Sequence, residues 1–180
     1  QEARAEVSYT VRLPEPNPFI KPPDEPLPKT RRATVETQPR TIFFSEGAIG
    51  YVLTENRYSQ PKSDLYIRLR TPLASNSPEA SIMTELLSDA INEQLNSLSY
   101  AAALAGAGFS AQATQSGITL QFSGYHRSLI PLVDQVLENL PISLIDEATW
   151  SRLRQLKSQG LARVQAAKPS SRLFDEMTAG

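Results

Sequence analysis

Residues 61–125 read PKSDLYIRLRTPLASNSPEASIMTELLSDAINEQLNSLSYAAALAGAGFSAQATQSGITLQFSGY. Near the start of this stretch, Leu65, Ile67 and Leu69 alternate with charged or aromatic side chains. Successive side chains of a strand point to opposite faces, so the alternation predicts a strand over Asp64–Thr71 with one face in a core. The apolar residues then recur at the spacing of a helix, and after that they recur again at the spacing of strands. The stretch therefore predicts a strand, a long helix and a hairpin, in that order.

A strong helix start lies at Ser77-Pro78-Glu79. Serine caps a helix N-terminus, proline suits the first turn, and a carboxylate favours the positive end of the helix. We predict one helix from Pro78 to about Leu104, which ends at Gly106 or Gly108. Its predicted buried side, on which Leu87 and Ile91 are expected to be fully buried, consists of Met83, Leu86, Leu87, Ala90, Ile91, Leu95 and Leu98.

The rest of the chain divides into further strands and helices. Additional strands are predicted over 40–44 and 50–53, and a hairpin is predicted from 109–115 and 118–123 with its turn at Ser116-Gly117. A second helix is predicted over Arg127–Asn139, and its buried side would be Leu129, Ile130, Val133, Val136, Leu137 and Leu140. A third helix, capped by Asp146, is predicted to run to about Ala167, with Trp150, Leu153, Leu161 and Val164 inward. A fourth is predicted over 171–178.

This order of elements predicts an α+β fold class, with an antiparallel or mixed β-sheet and α-helices packed on one face. Prolines are concentrated before residue 40, and proline fixes φ and removes a backbone donor. We therefore expect residues 1–30 to be a Pro-rich extended connector from a preceding domain, anchored by Leu13, Phe19 and Ile20, and residues 31–180 to be the folded domain. Because Gln1 is not an initiator Met, we expect a fragment of a longer chain, truncated at its C-terminus.

The composition excludes several classes of protein. The 180-residue chain has a net charge of −1 and no Cys, and His126 is its single imidazole. The lack of Cys excludes disulfides, iron–sulfur clusters and thiolate zinc sites. Without a strong positive charge, nothing attracts nucleic acid or anionic lipid, and no apolar run approaches the roughly 18 residues needed to cross a bilayer. We therefore expect a globular domain with neither a nucleic-acid nor a membrane partner.

His126 is the first candidate for catalysis. An inverted zinc motif, H-x-x-E-H, needs two His and a Glu on one helix, and this chain has a single His. His126 could instead act as a base for Ser123 or Ser128, but sequence neighbours rarely form a triad and no G-x-S-x-G elbow is present. We interpret His126 as a helix-start or surface residue and expect no catalytic, cofactor-binding or metal-binding residue in this chain.

Other polar patterns have structural explanations. The carboxylates lie where helices are predicted to begin, a position they favour, at Asp146, Glu147, Asp175 and Glu176. Gly106-Ala107-Gly108 follows a helix and precedes a strand, the reverse of a phosphate-binding loop, so we interpret it as a helix stop. Pro23-Asp24-Glu25-Pro26 matches a loose PxxP pattern, but a connector explains it better.

A run of basic residues without an acidic one lies between Ser151 and Arg172, and it consists of Arg152, Arg154, Lys157, Arg163, Lys168 and Arg172. Such a run could bind a polyanion. It could equally be a solvated helix face whose cations lie toward the negative end of the helix. Because Trp150 is the only aromatic residue nearby and fits the apolar side of the helix, we favour the second interpretation.

Four blocks of sequence follow one another in a characteristic order. They read LPEPNPFI (13–20), NRYSQPKSDLYIRLRTP (56–72), NEQLNSLSYAAALAGAGFSAQAT (92–114) and GITLQFSGY (117–125). Together they resemble the middle, third and non-catalytic domain of the insulinase/pitrilysin family of zinc metallopeptidases, most closely its bacterial members, over about residues 13–175. Members of this family consist of four homologous α/β units that close as two halves around a chamber, and only the first unit carries the inverted zinc motif.

The resemblance implies a non-catalytic domain of a zinc metalloendopeptidase, which helps to enclose and position peptides for proteolysis. It further implies that zinc is bound in the catalytic domain of the parent enzyme and not in this chain. The implied partners are sister domains and peptide substrates, and the implied location is the periplasm. Two alternatives stay open: a domain of the pyrroloquinoline quinone maturation protease, or a catalytically inactive peptide-binding or scaffold module. An upstream H-x-x-E-H in the full reading frame would support a peptidase, and its absence would support the scaffold.

Overall fold

The computed structural model describes residues 15–20, 36–55, 61–140 and 146–166. Within these ranges the strands are β1 (Arg40–Ser45), β2 (Ala48–Val52), β3 (Lys62–Arg70), β4 (Ala107–Thr114) and β5 (Gly117–Tyr125). The helices are α1 (Pro78–Gln94), α2 (Asn96–Leu104), α3 (His126–Glu138) and α4 (Glu147–Ala166), and a short 3₁₀ turn spans Pro72–Ala74.

Three of the strands form the main antiparallel sheet, in the order β3-β5-β4. In the centre of this sheet, Leu120 lies opposite Ile67 on one side and opposite Ala111 on the other. Helices α1, α2 and α3 pack on one face of the sheet, and α4 packs on α1. Strands β1 and β2 form a separate antiparallel pair. The predicted fold class, α+β with helices on one face of an antiparallel sheet, is therefore confirmed.

The core lies between the main sheet and the helices. Leu120 and Phe122 of β5 and Leu132 and Val136 of α3 are all 0% exposed. The rings of Phe109 and Phe122 lie 5.1 Å apart between centroids with 46° between their planes, a favourable tilted arrangement. Because each fully buried side chain of this size contributes about 1.5–3 kcal/mol, this cluster holds α3 firmly against the sheet.

The single long helix predicted from Pro78 onward is divided in the structure. Leu95, with φ −96° and ψ 10°, separates α1 from α2, and its side chain stays in the core at 4% exposure. The apolar spacing continues through this break, so the sequence pattern did not reveal it. Beyond this break, α2 packs along β4 and also touches α3.

The buried side predicted for α1 is only partly correct. Ile91 is buried as expected, but Leu87 is only partly buried against the core and Met83 is 53% exposed. The reason is that α1 has two contact surfaces. One faces the sheet, and the other, through Leu86 and Ala90, faces α4. The buried side of α1 therefore does not include Met83.

The predicted buried side of α3 was too wide. Leu129 and Val136 are buried as expected, but Ile130 is 51% exposed and Leu137 is 46% exposed. Leu132, absent from the predicted set, is fully buried. A helix that packs on a sheet from one side buries a single narrow stripe, and the spacing of Leu129, Leu132 and Val136 follows that stripe.

Helix α4 begins as predicted, because the backbone N–H of Thr149 donates to the Asp146 Oδ1 at 2.6 Å. Leu153 is buried and Trp150 packs against the same small cluster, as expected. Leu161, however, is 46% exposed and lies outside the buried cluster that joins α4 to α1. The side chain of Val164 and residues 171–178 lie outside the described residues.

The hairpin turn lies one residue earlier than predicted. Thr114 pairs with Gly117, so the turn consists of Gln115 and Ser116. Gly117 has φ 139°, and a Cβ there would lie 1.9 Å from the Leu69 carbonyl oxygen, so no other residue fits. The predicted helix stop is at Gly106, whose φ of 73° is the left-handed conformation that ends many helices.

Strand β3 is more exposed than its alternating pattern predicted. Ile67 packs against the core, but Leu65 and Leu69 are 38% and 46% exposed. The physical reason is that, among the described residues, β3 has a partner strand on one side only and lies at an edge of the sheet.

Residues 15–20 form an N-terminal anchor. Phe19 is 0% exposed and belongs to the main core cluster, whereas Ile20 is 60% exposed. The anchor is fixed further by Asn17, whose Nδ2 donates to the Ala101 carbonyl at 2.7 Å. Phe19 is thus an anchor, as expected. Leu13, the rest of the predicted connector within 1–30 and the PxxP match lie outside the described residues.

Candidate functional surface

The face of the main sheet that points away from the helices is lined by polar side chains. We call it the polar sheet face; its members are Asp64, Tyr66 and Arg68 of β3, Thr119, Gln121 and Ser123 of β5, and Ser110 and Gln112 of β4. Its central row crosses the three strands from Tyr66 through Gln121 to Ser110. The described helices cover the other face, so these side chains remain open to solvent or to a partner.

The chemistry of the polar sheet face suits hydrogen bonding. Gln121 Nε2 donates to the Tyr66 hydroxyl at 3.3 Å, and Tyr66 is 54% exposed. Hydroxyl, amide and guanidinium groups can bind the backbone and polar side chains of a peptide. Asp64 is the one carboxylate among the members of this face, so the face lacks the pair of carboxyl groups that acid–base hydrolysis commonly uses.

The two edges of the main sheet differ. At the β4 edge, the side chain of Asn92 on α1 forms two hydrogen bonds to Ala111: its Nδ2 donates to the carbonyl at 2.8 Å, and its Oδ1 accepts from the backbone N–H at 2.8 Å. This amide takes the place that a neighbouring strand would occupy. At the other edge, β3 has β5 as its partner and no strand on its outer side among the described residues.

The candidate residues for nucleophilic chemistry have different places in the structure. His126 is the exposed first residue of α3, and its backbone N–H donates to the Pro61 carbonyl at 3.2 Å. The buried Ser128 hydroxyl is directed at two backbone carbonyls, those of Phe19 at 3.0 Å and Ala105 at 3.1 Å. Ser123 belongs to the polar sheet face. This placement agrees with a helix-start role for His126 and gives Ser128 a structural role.

The carboxylates singled out in the sequence have capping roles where the structure describes them. The backbone N–H and then the hydroxyl of Thr149 hold the pKa of Asp146 below its ordinary value. At the start of α1, the backbone N–H of Glu79 itself and then the Ser77 hydroxyl lower the pKa of Glu79. Glu147 accepts a hydrogen bond from Arg154 at 3.2 Å. Asp175 and Glu176 lie outside the described residues.

Most of the described basic residues of α4 face carboxylates. Arg152 pairs with Glu93 and Lys157 pairs with Glu85, so both cations join α4 to α1. Arg154 pairs with Glu147 within α4, and Arg163 lies in the last turn of the helix, where its charge suits the negative end. Lys168 and Arg172 lie outside the described residues. The pairing favours a packed and solvated helix face over a polyanion site.

The described ranges contain no cluster of three or more His, Asp and Glu residues placed to hold a metal ion. Within the same ranges, every helix is too short or too polar to cross a lipid bilayer.

The β1–β2 hairpin carries a second notable surface. Its exposed apolar side chains are Ile42, Phe43, Phe44, Ile49 and Tyr51, of which Phe44 is 77% exposed. The ring of Phe43 lies over Gly50, where an added Cβ would meet the ring at 2.1 Å. Clusters of exposed apolar side chains of this kind mark surfaces that pack against other protein.

Sequence reasoning missed the polar residues that fix the fold. Asn92 is not among the residues of the predicted buried side of its helix, and neither Asn17 nor the Ser128 hydroxyl was expected to join distant segments. One signal was available for Asn92, since Asn in the interior of a helix is unfavourable unless its side chain has a specific partner.

Comparisons with known proteins give a consistent result. A family model described as the middle or third domain of peptidase M16 matches residues 1–179. The chain is 26% identical to human insulin-degrading enzyme over 167 residues, and 30% identical to protease 3 of Shigella flexneri over 160 residues. These matches cover 92% and 88% of the chain. The crystal structure of pitrilysin matches with a TM-score of 0.69 and 25% identity, over 87% of the chain.

The chain spans about one sixth of these proteins, since each match covers 16% of the relative. The match to the middle-domain model extends over nearly every residue, and the structural match repeats it in three dimensions. The chain therefore belongs to the insulinase/pitrilysin family of metallopeptidases, peptidase M16, and corresponds to its middle or third domain.

Proposed function

We propose that this chain is a non-catalytic domain of a zinc metalloendopeptidase and forms part of the wall of a chamber that encloses peptide substrates. The observation that carries the proposal is the polar sheet face, which the described helices leave uncovered and which presents hydrogen-bonding side chains around Tyr66 and Gln121. A peptide lying on this face would be held and oriented without being cut. Holding a substrate in a productive orientation lowers the entropic part of the reaction barrier.

The partners in this proposal are sister domains of the same polypeptide. The β1–β2 hairpin exposes a row of apolar side chains, and packing against a sister domain would remove this surface from water. Zinc would be bound elsewhere, by an H-x-x-E-H motif in the catalytic domain of the parent enzyme. This division of labour explains why a family of metallopeptidases includes a domain with a single His.

By resemblance to the bacterial members of the family, we also propose a periplasmic location for the parent enzyme. Fractionation of the source cells, with immunodetection of the domain, tests this location. Recovery of the protein with the cytoplasmic fraction would contradict it.

The test uses the parent polypeptide, whose reading frame must contain the upstream H-x-x-E-H. Arg68→Glu reverses a charge in the polar sheet face, and Arg163→Glu makes the same change at the exposed end of α4 as a control. We expect Arg68→Glu to lower kcat/KM several-fold for a long acidic peptide, because repulsion replaces attraction along the wall. A short fluorogenic peptide that reaches only the zinc should be cleaved at an unchanged rate.

Two results would overturn the proposal. One is a complete reading frame without H-x-x-E-H. The other is an unchanged kcat/KM for the long peptide in both Arg68→Glu and Tyr66→Ala, since the two substitutions together alter the charge and the hydrogen bonding of the face. A matching loss in Arg163→Glu would indicate a general effect of charge and would also count against a specific role for the wall.

A further inference from the structure

Two arginines of β3 project from the same side of the main sheet. Side chains alternate along a strand, so Arg70 points to the same side as Arg68, which belongs to the polar sheet face. Both side chains are exposed. Residues two apart in a strand are separated by about 7 Å. The two guanidinium groups therefore leave the backbone as a closely spaced pair of positive charges, at the end of β3 that precedes the 3₁₀ turn.

The charge of this arginine pair, Arg68 and Arg70, is not neutralised within the described residues. The ion pairs found there join other residues, and neither arginine takes part in one. The single carboxylate that β3 carries is Asp64, four residues from Arg68 and thus about 13 Å away along the strand. Two like charges at neighbouring positions repel each other, and a bound anion would relieve this repulsion.

The neighbouring positions on the sheet leave the arginine pair accessible. Thr119 of β5 lies opposite Arg68, and Gly117 lies opposite Arg70. Because glycine has no side chain, nothing on β5 stands beside Arg70. Thr119 offers a hydroxyl beside Arg68, and Gln112 of β4 extends this row with an amide. An anionic group can therefore approach both guanidinium groups past neutral neighbours, two of which are able to donate hydrogen bonds.

We propose that the arginine pair binds acidic peptides and recognises two carboxylate side chains that lie two residues apart, in the pattern Glu-x-Glu. The proposal rests on the proposed function, in which a peptide lies on the polar sheet face. In an extended peptide, the side chains that point to one side also recur about every 7 Å, so these two carboxylates match the two guanidinium groups. Each guanidinium group can hold a carboxylate through two parallel hydrogen bonds.

The pattern Glu-x-x-Glu provides a matched comparison. Residues three apart in an extended chain point to opposite sides, so one carboxylate of this pattern faces the arginine pair and the other faces away. The two patterns carry the same charge. A preference for Glu-x-Glu therefore reports the spacing of the arginine pair, whereas a general attraction of positive charge for acidic peptides would favour neither pattern.

Peptide binding to the parent polypeptide tests the proposal. Two fluorescein-labelled peptides of equal length and composition carry Glu-x-Glu or Glu-x-x-Glu, and fluorescence anisotropy measures their dissociation constants in EDTA, which prevents cleavage by a zinc enzyme. We expect Glu-x-Glu to bind about two- to fivefold more tightly, the effect of one additional exposed ion pair. This preference should disappear in Arg68→Gln and in Arg70→Gln. It should persist in Arg163→Gln, the control at the exposed end of α4.

The proposal would be overturned by equal affinity for the two peptides, by no measurable binding of either, or by a preference that survives in both Gln variants. Loss of the preference in Arg163→Gln would also overturn it. If a Gln variant fails to fold, Lys at the same position replaces it; Lys keeps the charge but loses the paired hydrogen bonds, and should weaken the preference.

The binding assay and the kinetic assay of the proposed function can fail separately. Equal binding of the two peptides, together with the expected kinetic effect of Arg68→Glu, would overturn this proposal and leave the chamber wall standing. A reading frame without H-x-x-E-H would remove the proposed function, and the preference for Glu-x-Glu would still be measured because the binding assay does not require cleavage.

Discussion

Replacing Asn92 with Ala removes two hydrogen bonds that join α1 to the edge of β4. Both have a length of 2.8 Å, and they satisfy the backbone N–H and the carbonyl of Ala111, a residue that is 3% exposed. A typical intramolecular hydrogen bond contributes about 0.5–1.5 kcal/mol net, so the pair contributes about 1–3 kcal/mol. Ala is a better helix former than Asn by roughly 0.5 kcal/mol. We therefore expect Asn92→Ala to lower the free energy of unfolding by about 0.5–2.5 kcal/mol.

Urea denaturation followed by circular dichroism measures this loss. Asn96→Ala is the control, because it makes the same substitution at an exposed position of the neighbouring α2. Its free energy of unfolding should stay within about 0.5 kcal/mol of the wild-type value. Asn92→Asp adds a second comparison, since the carboxylate can still accept from the Ala111 N–H but repels the Ala111 carbonyl. If Asn92→Ala were as stable as the wild type, the amide would not be closing the edge of β4 and the reasoning would be wrong.

Further predictions concern the anchor, the helix caps and metal binding. Phe19→Ala should cost about 3–5 kcal/mol of unfolding free energy, the usual range for a buried Phe, whereas Ile20→Ala should cost far less; equal losses in urea melts would show that Phe19 does not anchor residues 15–20. The pKa of Asp146 is lowered by its bonds to Thr149, so its contribution to stability is present near neutral pH and is lost as the pH falls through the folded pKa. Asp146→Asn should therefore flatten the acid side of the profile of melting temperature against pH; a profile like that of the wild type would argue against this cap. The isolated chain should retain no stoichiometric zinc after dialysis, as measured by atomic emission, because one His and no Cys leave only carboxylates as further ligands; retained zinc, or peptide cleavage that EDTA abolishes, would contradict this.

Local patterns in the sequence predicted the elements that depend on local chemistry. The strand predicted over 118–123 is found within β5, and the caps at Ser77 and Asp146 follow from side chains that bond to nearby backbone. The side of α1 that is buried could not be predicted in this way. It depends on α4, which lies far along the chain and packs against Leu86. The spacing of the apolar residues within α1 does not indicate that contact.

The surfaces on which the proposed function rests are harder to predict from the sequence. The polar sheet face is visible only after the register has brought Tyr66, Gln121 and Ser110 into one row. The bonds from Ser128 to the Phe19 and Ala105 carbonyls likewise join segments that are far apart in sequence. Such contacts depend on the tertiary arrangement. They can be predicted from a single sequence only when it resembles a family whose structure is known.

The N-terminal anchor has a mechanical consequence for this domain. Phe19 fills the core and Asn17 binds the last turn of α2, so the polypeptide is fixed to the domain at this point. A force applied at residue 15 would therefore act on the core through Phe19 and on α2 through Asn17. Because Phe19 belongs to the same core cluster as Leu120 and Phe122 of β5, such a force would reach the main sheet, and with it the polar sheet face, through a packed core.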